Sequence, residues 1–251
     1  MNERQQNILA ILEHDGFASV CDLASRLQVS EMTIRRDFQL FEEKALVRRV
    51  HGGAMIVNKC IQEPQFELRE SSFIEEKQQV AKLAATLVRE GTTIALDSGT
   101  TALELVKFLT DVEGLTIITS NIRVINFCLD YNNLQVIVPG GMLRPGEGSL
   151  VGNYTLDFLK NIHVDQFFMG VGGIDNKVGV TEYNAEDAAV KKILVENARQ
   201  VIALADSTKF NKITFAKICD LDSLDIVVTN TKVPDNFRDV FQQHGINVIQ
   251  P

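Results

Sequence analysis

The segment from Ser30 to Phe41 constrains this 251-residue chain most, because it predicts a capped helix with one apolar and one cationic side. Ile34, Phe38, Phe41 and Ala45 recur at the spacing of a single helical stripe, and Ser30 is a suitable N-cap. The first two turns of a helix like this are the part that a recognition helix inserts into a DNA major groove. Their side chains off the apolar stripe are Glu31, Met32, Thr33, Arg35 and Arg36.

The residues before this helix predict a helix-turn-helix. Apolar residues at helical spacing indicate one helix around Ile8 to Leu12 and a second from Val20 to Leu27. Ser19, with Asp22 three positions later, forms a capping-box sequence for the second helix. Only two residues separate that helix from Ser30, which is the short connection of a helix-turn-helix.

A hairpin is predicted after the recognition helix. The segments 46–50 and 54–57 flank His51-Gly52-Gly53, whose glycines suit the positive φ of a tight turn. Arginines on a protein surface are often only exposed to solvent and have no further role. Here the spacing of the helices, their N-caps and the hairpin occur together, which favours a wing that lies on a phosphate backbone. The wing residues predicted to contact DNA are Arg48, Arg49, His51 and Gly52.

Two side chains of the recognition helix carry further expectations. Met32 could fill the core or contact a thymine methyl group, and the sequence leaves both open. Asp37 follows two arginines directly, and we expect it to organise Arg35 and Arg36 by ion pairing.

These motifs resemble the DeoR family of bacterial sugar-metabolism repressors, and the resemblance runs nearly end to end. The family combines a Ser-x-x-Thr-Ile-Arg-Arg-Asp-Leu helix with a wing that ends in His-Gly-Gly-Ala. This chain has Ser30, residues 33–37 and residues 51–54 of that signature, and it departs only by Phe38 in place of Leu. The resemblance implies a repressor that binds double-stranded operator DNA as a homo-oligomer, a dimer or a tetramer.

Length and charge indicate two domains. The chain has room for a small module and a larger domain with a full core. Residues 1–60 carry eight basic and eight acidic residues, so the whole net charge of −8 lies in the remainder and DNA binding must rely on a local basic surface. The aperiodic stretch around Pro64 suggests a DNA-binding domain at 1–57, a linker at 58–74 and a second domain at 75–251.

Strands and helical segments alternate after residue 75. This pattern predicts an α/β fold with a doubly wound, mainly parallel sheet. The predicted strands are 93–96, 116–119, 135–138, 166–171, 201–205, 225–229 and 247–249.

Small and polar residues follow several of these strands, and the carboxyl ends of parallel strands meet at one rim, where such folds bind ligands. The amides and hydroxyls of residues 98–101 would open a helix and suit a phosphate, and Lys209 could add a positive charge. Asp97, Asp175 and Asp206 could accept hydrogen bonds from sugar hydroxyls. A single Gly-Thr-Thr would more simply make turns and caps, but five such segments favour a pocket. Arg144 could hold phosphate bidentately or face water from a covering loop.

The second domain is also similar to the ribose-5-phosphate isomerase and glucosamine-6-phosphate deaminase folds, and in the DeoR family it senses phosphorylated sugars or related metabolites. The family implicates basic residues matching Arg69 and Lys77 in the inducer response, although Lys77 could be an ordinary exposed helix residue. The residues expected to bind the effector are Asp97, Ser98, Gly99, Thr100, Thr101, Asn121, Gly140, Gly141, Arg144, Gly173, Asp175, Glu182, Asp206, Lys209, Arg69 and Lys77.

Other classes of protein fit the sequence less well. Four widely spaced cysteines and unclustered histidines indicate no metal, cofactor or disulfide framework, and Cys21 is expected to be buried. The absence of a long apolar run or a leader predicts a soluble, cytoplasmic protein without membrane contact. The alternative function is a sugar-phosphate isomerase or deaminase with an accessory domain, but no histidine partners the rim carboxylates and an enzyme has no need of a recognition helix.

Overall fold

The computed structural model describes residues 1–15, 17–44, 46–50, 52–56 and 63–251. It divides the chain into a first unit, residues 1–60, and a second unit, residues 61–251. The predicted linker therefore falls largely within the second unit. The helix α4 (Phe66–Ser71) lies inside the stretch expected to be linker, because Phe66 is buried in the core of that unit.

The first unit has three helices and a three-stranded antiparallel sheet in the order β1-β3-β2. The predicted helices and both predicted hairpin strands are present. The short strand β1 was not predicted, because three residues are too few to show an alternating pattern. The elements are α1 (Glu3–Asp15), β1 (Phe17–Ser19), α2 (Val20–Arg26), α3 (Glu31–Glu43), β2 (Val47–Val50) and β3 (Gly53–Ile56).

Caps and a small core hold the helix-turn-helix together. The Ser19 hydroxyl accepts the Asp22 amide at 3.0 Å, and the Ser30 hydroxyl accepts the Thr33 amide at 3.2 Å, so both predicted N-caps are confirmed. Gln28, in the turn between α2 and α3, has a φ of +52°. The predicted stripe is buried at Ile34, Phe38 and Phe41, while Ala45 lies outside the described residues. Cys21 is exposed, contrary to expectation, because it lies on the face of α2 opposite the buried Leu23.

The second unit contains the predicted parallel sheet. All seven predicted strands are present to within two residues at either end, and they pair in parallel in the order β15-β14-β12-β9-β4-β5-β6. Their ranges are β4 (Thr93–Leu96), β5 (Thr116–Thr119), β6 (Gln135–Ile137), β9 (Gln166–Gly170), β12 (Val201–Leu204), β14 (Ile226–Val228) and β15 (Asn247–Ile249).

Helices cover both faces of this sheet, as expected for a doubly wound fold. Successive residues of β9 alternate between the two cores, with Phe167 and Met169 in one and Phe168 in the other. The helices are α4, α5 (Ile74–Ala85), α6 (Thr100–Val106), α7 (Ile122–Cys128), α8 (Asn153–Leu159), α9 (Ala185–Asn197) and α10 (Asp235–Gln243). No helix in the described part of the chain is both long enough and apolar enough to cross a membrane.

Two small antiparallel sheets join the carboxyl ends of the parallel strands. The strands β7 (Met142–Leu143) and β8 (Leu150–Val151) form one, and β10 (Gly173–Asp175), β11 (Gly179–Glu182) and β13 (Ala216–Cys219) form the other. Gly173 permits this packing, because a Cβ at that position would lie 2.3 Å from the carbonyl oxygen of Lys212. Neither small sheet was predicted, because their pairing depends on contacts distant in sequence.

Candidate functional sites

The exposed side of α3 presents the residues predicted to enter a major groove. Arg35 and Arg36 are exposed, and Met32 is 61% exposed, so Met32 does not fill the core. The Arg35 guanidinium lies 3.3 Å from the Glu31 carboxylate one helical turn earlier. This contact between exposed groups is weak, so Arg35 can exchange it for a base edge.

Asp37 does not pair with those arginines. Its side chain is buried and accepts hydrogen bonds from Arg4 at 2.8 Å and from Gln5 at 2.8 Å, both on α1. The expectation was wrong because position 37 lies on the inner side of α3, next to Phe38, whereas Arg35 and Arg36 point outward. Asp37 therefore joins two helices, and the acidic neighbour of Arg35 on the exposed surface is Glu31 instead.

The wing is attached to the recognition helix through Arg49. The Arg49 amide donates to the Glu42 carboxylate at 3.0 Å, and its guanidinium donates to the same group at 2.5 Å. These two interactions hold the pKa of Glu42 below its ordinary value. The turn at Gly52 has a φ of +79°, as the predicted hairpin requires. The side chain of Arg48 and all of His51 lie outside the described residues.

A buried lysine lies at the carboxyl rim of the parallel sheet. Lys191, on α9, is 2.8 Å from Asp97 and also binds Glu182, and its ammonium donates to the Gly170 carbonyl at 2.8 Å. Asp97 also accepts the Gly170 amide at 2.9 Å, and a Cβ on Gly170 would lie 2.7 Å from the Asp97 carboxylate. The group of Asp97, Glu182 and Lys191 thus brings two predicted ligand residues together.

The pKa values of this group follow from burial and pairing. Burial raises the pKa of Asp97, and the attraction of Lys191 offsets it only in part. Burial opposes ionisation of Glu182 as well, but Lys191 and the Tyr183 amide together lower its pKa. The two carboxylates outweigh the effect of burial on Lys191 and raise its pKa, so the lysine is a permanent cation. One positive charge therefore offsets one of the two carboxylates, and the group has a net charge of −1 when both acids are ionised.

A second charged cluster surrounds Arg144 and Arg69. Arg144 pairs with Glu63 at 2.8 Å and with Asp187 of α9, whereas Arg69 pairs with Glu63 at 3.2 Å and with Glu147. The guanidinium of Arg144 is thus already engaged by two carboxylates. A phosphate would have to displace one of them to bind it.

Lys77 is buried and anchors a helix end. Its ammonium donates to the carbonyls of Arg69, Glu70 (3.4 Å) and Ser72 (2.6 Å) at the carboxyl end of α4, so it is not the ordinary exposed residue that the sequence allowed. Burial and the nearby Lys209 lower the pKa of Lys77 to about 8. Lys209 makes no ion pair with a described residue, although its charge lowers the pKa of Asp206.

The remaining predicted ligand residues lie at several separate places around the rim. Gly99 caps α6 directly beside Asp97 and precedes Thr100 and Thr101, and Ser98 lies at the same turn. Asn121 caps α7, and its Nδ2 group and the Ser149 hydroxyl opposite it are buried and unpaired. Gly140 and Gly141 pack on Thr155. Asp175 faces its own hairpin turn and accepts the amides of Lys177 and Val178, each at 2.9 Å, so it is not brought to the others.

Several charged residues of these clusters were missing from the predicted sites. They are Glu63, Glu147, Asp187 and Lys191. A signal was present for two of them, because Asp187 and Lys191 are four residues apart on one side of a helix together with the buried Ala188 and Leu194. Charged residues at core-facing positions indicate buried partners. Among the described residues, no group of His, Cys, Asp and Glu could hold a metal ion.

A winged helix-turn-helix joined to an α/β unit with a charged rim defines a DNA-binding regulator with a sensor domain. Family comparison agrees with both parts: the profile of the DeoR-like helix-turn-helix domain matches residues 4–60, and that of the DeoR C-terminal sensor domain matches residues 72–231. The chain belongs to the DeoR family of transcriptional regulators. The expectation of a regulator rather than an enzyme is confirmed.

Relatives with established names are similar over almost their whole length. The chain is 34% identical to the HTH-type transcriptional regulator GolR of Listeria innocua, over 98% of this chain and 97% of the relative. It is 29% identical to the glycerol-3-phosphate regulon repressor of Escherichia coli K12, with the same coverage. Among solved structures, ribose 5-phosphate isomerase A of Methanocaldococcus jannaschii matches with a TM-score of 0.43, 20% identity and 56% of each chain covered.

Proposed function

We propose that this regulator is a repressor of a carbohydrate-utilisation operon and that a phosphorylated sugar or related metabolite releases it from its operator. The observation that carries the proposal is the exposed cationic face of α3, which has Met32, Arg35 and Arg36 in its first two turns. Relatives named as the glycerol-3-phosphate regulon repressor and as the HTH-type transcriptional repressor GlcR support the repressing role. Operator binding takes place in the cytoplasm, and two or more copies bind together.

The DNA contacts divide between the helix and the wing. Arg35 and Arg36 reach base edges, since arginine pairs bidentately with guanine, and Met32 contacts a thymine methyl group. Thr33, Glu31 and the cap at Ser30 orient this first turn. Arg49 and Gly52, with Arg48 and His51 of the same hairpin, contact the phosphate backbone.

The charge distribution at the rim favours an anionic effector with hydroxyl groups. Lys191 pairs with both Asp97 and Glu182, which reduces the repulsion that these carboxylates would exert on a phosphate, and carboxylate oxygens can accept hydrogen bonds from hydroxyls. The amides at Ser98 to Thr101 receive the phosphate together with Lys209, whose charge also acts on the Asp206 carboxylate. Asn121 and the Gly140-Gly141 turn border the same rim on the side of the neighbouring strands.

The test combines ligand binding with DNA release. Operator sequences are selected from random DNA with the purified protein, and the protein is then melted in the presence of individual phosphorylated and unphosphorylated sugars. A ligand at a hundred times its dissociation constant stabilises the folded protein by about 2.7 kcal/mol. We expect a sugar phosphate, and not the free sugar, to raise the melting temperature and to weaken operator binding without being consumed. Turnover of the sugar, or binding with no effect on DNA, would contradict the proposal.

The variant Lys209→Ala tests the effector site without changing the DNA-binding surface. This variant should bind the operator like the wild type but need at least about tenfold more effector for release, because a charge-assisted contact contributes roughly 1.5 to 3 kcal/mol. Lys217→Ala is the matched control, since that exposed lysine lies on β13 and pairs only locally with Asp220. Equal release of the Lys209 variant and the control would remove Lys209 from the effector site.

A further inference from the structure

A group of large apolar side chains is exposed along one edge of the second unit. Tyr154 is 82% exposed, Met142 61% and Leu143 55%, and Val138 and Phe158 are also exposed. Isolated exposed apolar residues are common, but contiguous groups of them mark interaction surfaces. We call these five residues the α8 surface.

The α8 surface is contiguous because one segment of chain builds all of it. Tyr154 and Phe158 are one turn apart on α8, whose adjoining side is buried through Thr155 and Leu159. The Met142 side chain lies over Gly152, within 3.4 Å of where a Cβ would be, at the start of the same helix.

The β7–β8 pair and the edge of the parallel sheet complete the surface. Leu143 pairs with Leu150 next to Met142. Val138 follows β6, one of the two outermost strands of the sheet, whose outer edge pairs with no other strand in the described part of the chain.

We propose that the α8 surface is the self-association interface and that its occupant is the same surface on a second copy of this chain. The inference rests on the proposed function, because a single winged helix reads only a half-site and a symmetric operator requires two modules held in a fixed relation. A surface that meets itself across a two-fold axis satisfies that requirement.

Area and charge both suit a second copy. Tyr154, at 82% exposure, still has most of the roughly 150 to 250 Å² of an aromatic side chain available for burial. The other four residues add their exposed fractions toward the roughly 800 Å² that each partner of a stable complex buries. The charged residues nearest this surface are Asp157 on α8 and Lys160, the C-cap of that helix, which pair at 2.8 Å. Because one is acidic and the other basic, a two-fold axis can place each against its opposite, which avoids repulsion between chains of net charge −8.

The first test measures the mass of the full-length protein by sedimentation equilibrium without DNA or effector. Tyr154→Glu should raise the dissociation constant of the oligomer by at least about 30-fold, the effect of losing a central interface residue. Leu129→Glu is the matched control, because Leu129 is 73% exposed but lies outside the α8 surface. Phe215→Glu is a second control. Phe215 is 60% exposed and lies directly before β13, outside the α8 surface, so this variant should also leave the mass unchanged.

A cross-linking test does not depend on tolerance of a buried charge. In a Cys21→Ser, Cys60→Ser background, a flexible bis-maleimide reagent should join Tyr154→Cys into a covalent dimer, whereas it should not join Leu129→Cys. The inference is overturned if the wild type is monomeric, if Tyr154→Glu self-associates normally, if Phe215→Glu dissociates the oligomer, or if position 154 does not cross-link. These results are independent of effector binding, so they are distinguishable from failure of the sugar-phosphate proposal.

Discussion

Removing the buried cation of the rim tests the electrostatic account of the sensor unit most directly. In Lys191→Met, Asp97 and Glu182 would remain buried without the ammonium that binds both of them. Breaking a buried ion pair by removing one partner costs roughly 3 to 5 kcal/mol. For a unit of this size each kcal/mol lowers the melting temperature by roughly 2 to 4 °C, so we expect a decrease of about 6 to 20 °C.

The stability lost in Lys191→Met should depend on pH, and this dependence tests the reasoning more sharply than the size of the loss. Without Lys191, burial and mutual repulsion raise the pKa of both carboxyls above their unfolded values of about 4. The folded variant then binds more protons than the unfolded chain, so its stability rises as the pH falls. In the wild type Lys191 lowers the pKa of Glu182, and the stability from that group is lost as the pH falls. The difference between the two proteins should therefore shrink from pH 7 to pH 5.

Urea unfolding at several pH values measures both quantities. The matched control is the triple variant Asp97→Asn, Glu182→Gln and Lys191→Met, which removes the charges together and should recover much of the stability lost at pH 7. The reasoning would be falsified if Lys191→Met unfolded at the same urea concentration as the wild type, or if the difference in stability between the two proteins did not change with pH.

Three further outcomes are expected. Arg35→Ala should weaken specific operator binding by roughly 1 to 3 kcal/mol and relax base preference, and unchanged affinity in gel-shift titration would place Arg35 outside the interface. Because the pKa of Lys77 is lowered to about 8, the unfolded chain holds one more proton than the folded protein between pH 8 and about 10.5. In urea unfolding, the stability of the wild type relative to Lys77→Met should therefore rise with pH across that range. Gln28→Gly should raise the free energy of unfolding by about 0.5 to 1 kcal/mol, since φ is +52° there, and a lower urea midpoint would contradict it.

Local signals in the sequence were sufficient for the main elements. The N-caps Ser19 and Ser30, the apolar stripe of α3 and the seven short apolar strands each depend on residues within about one helical turn or on adjacent strand positions. Periodicity and capping therefore predicted the helix-turn-helix and the parallel sheet. The same signals missed β1, which is three residues long, and α4, whose burial depends on where Phe66 meets the core.

The tertiary structure alone decided which charged groups meet. Asp37 was assigned to its sequence neighbours, yet it binds Arg4, 33 positions away. Arg144 and Glu63 are separated by 81 positions, and Arg69 and Glu147 by 78. The sequence by itself determined that Asp97 follows a strand ending at the sheet rim, whereas Glu182 on the unpredicted strand β11 and Lys191 on α9 reach Asp97 only through tertiary packing. Backbone preferences act over a few residues, whereas the partner of a buried charge is selected by the topology that surrounds it.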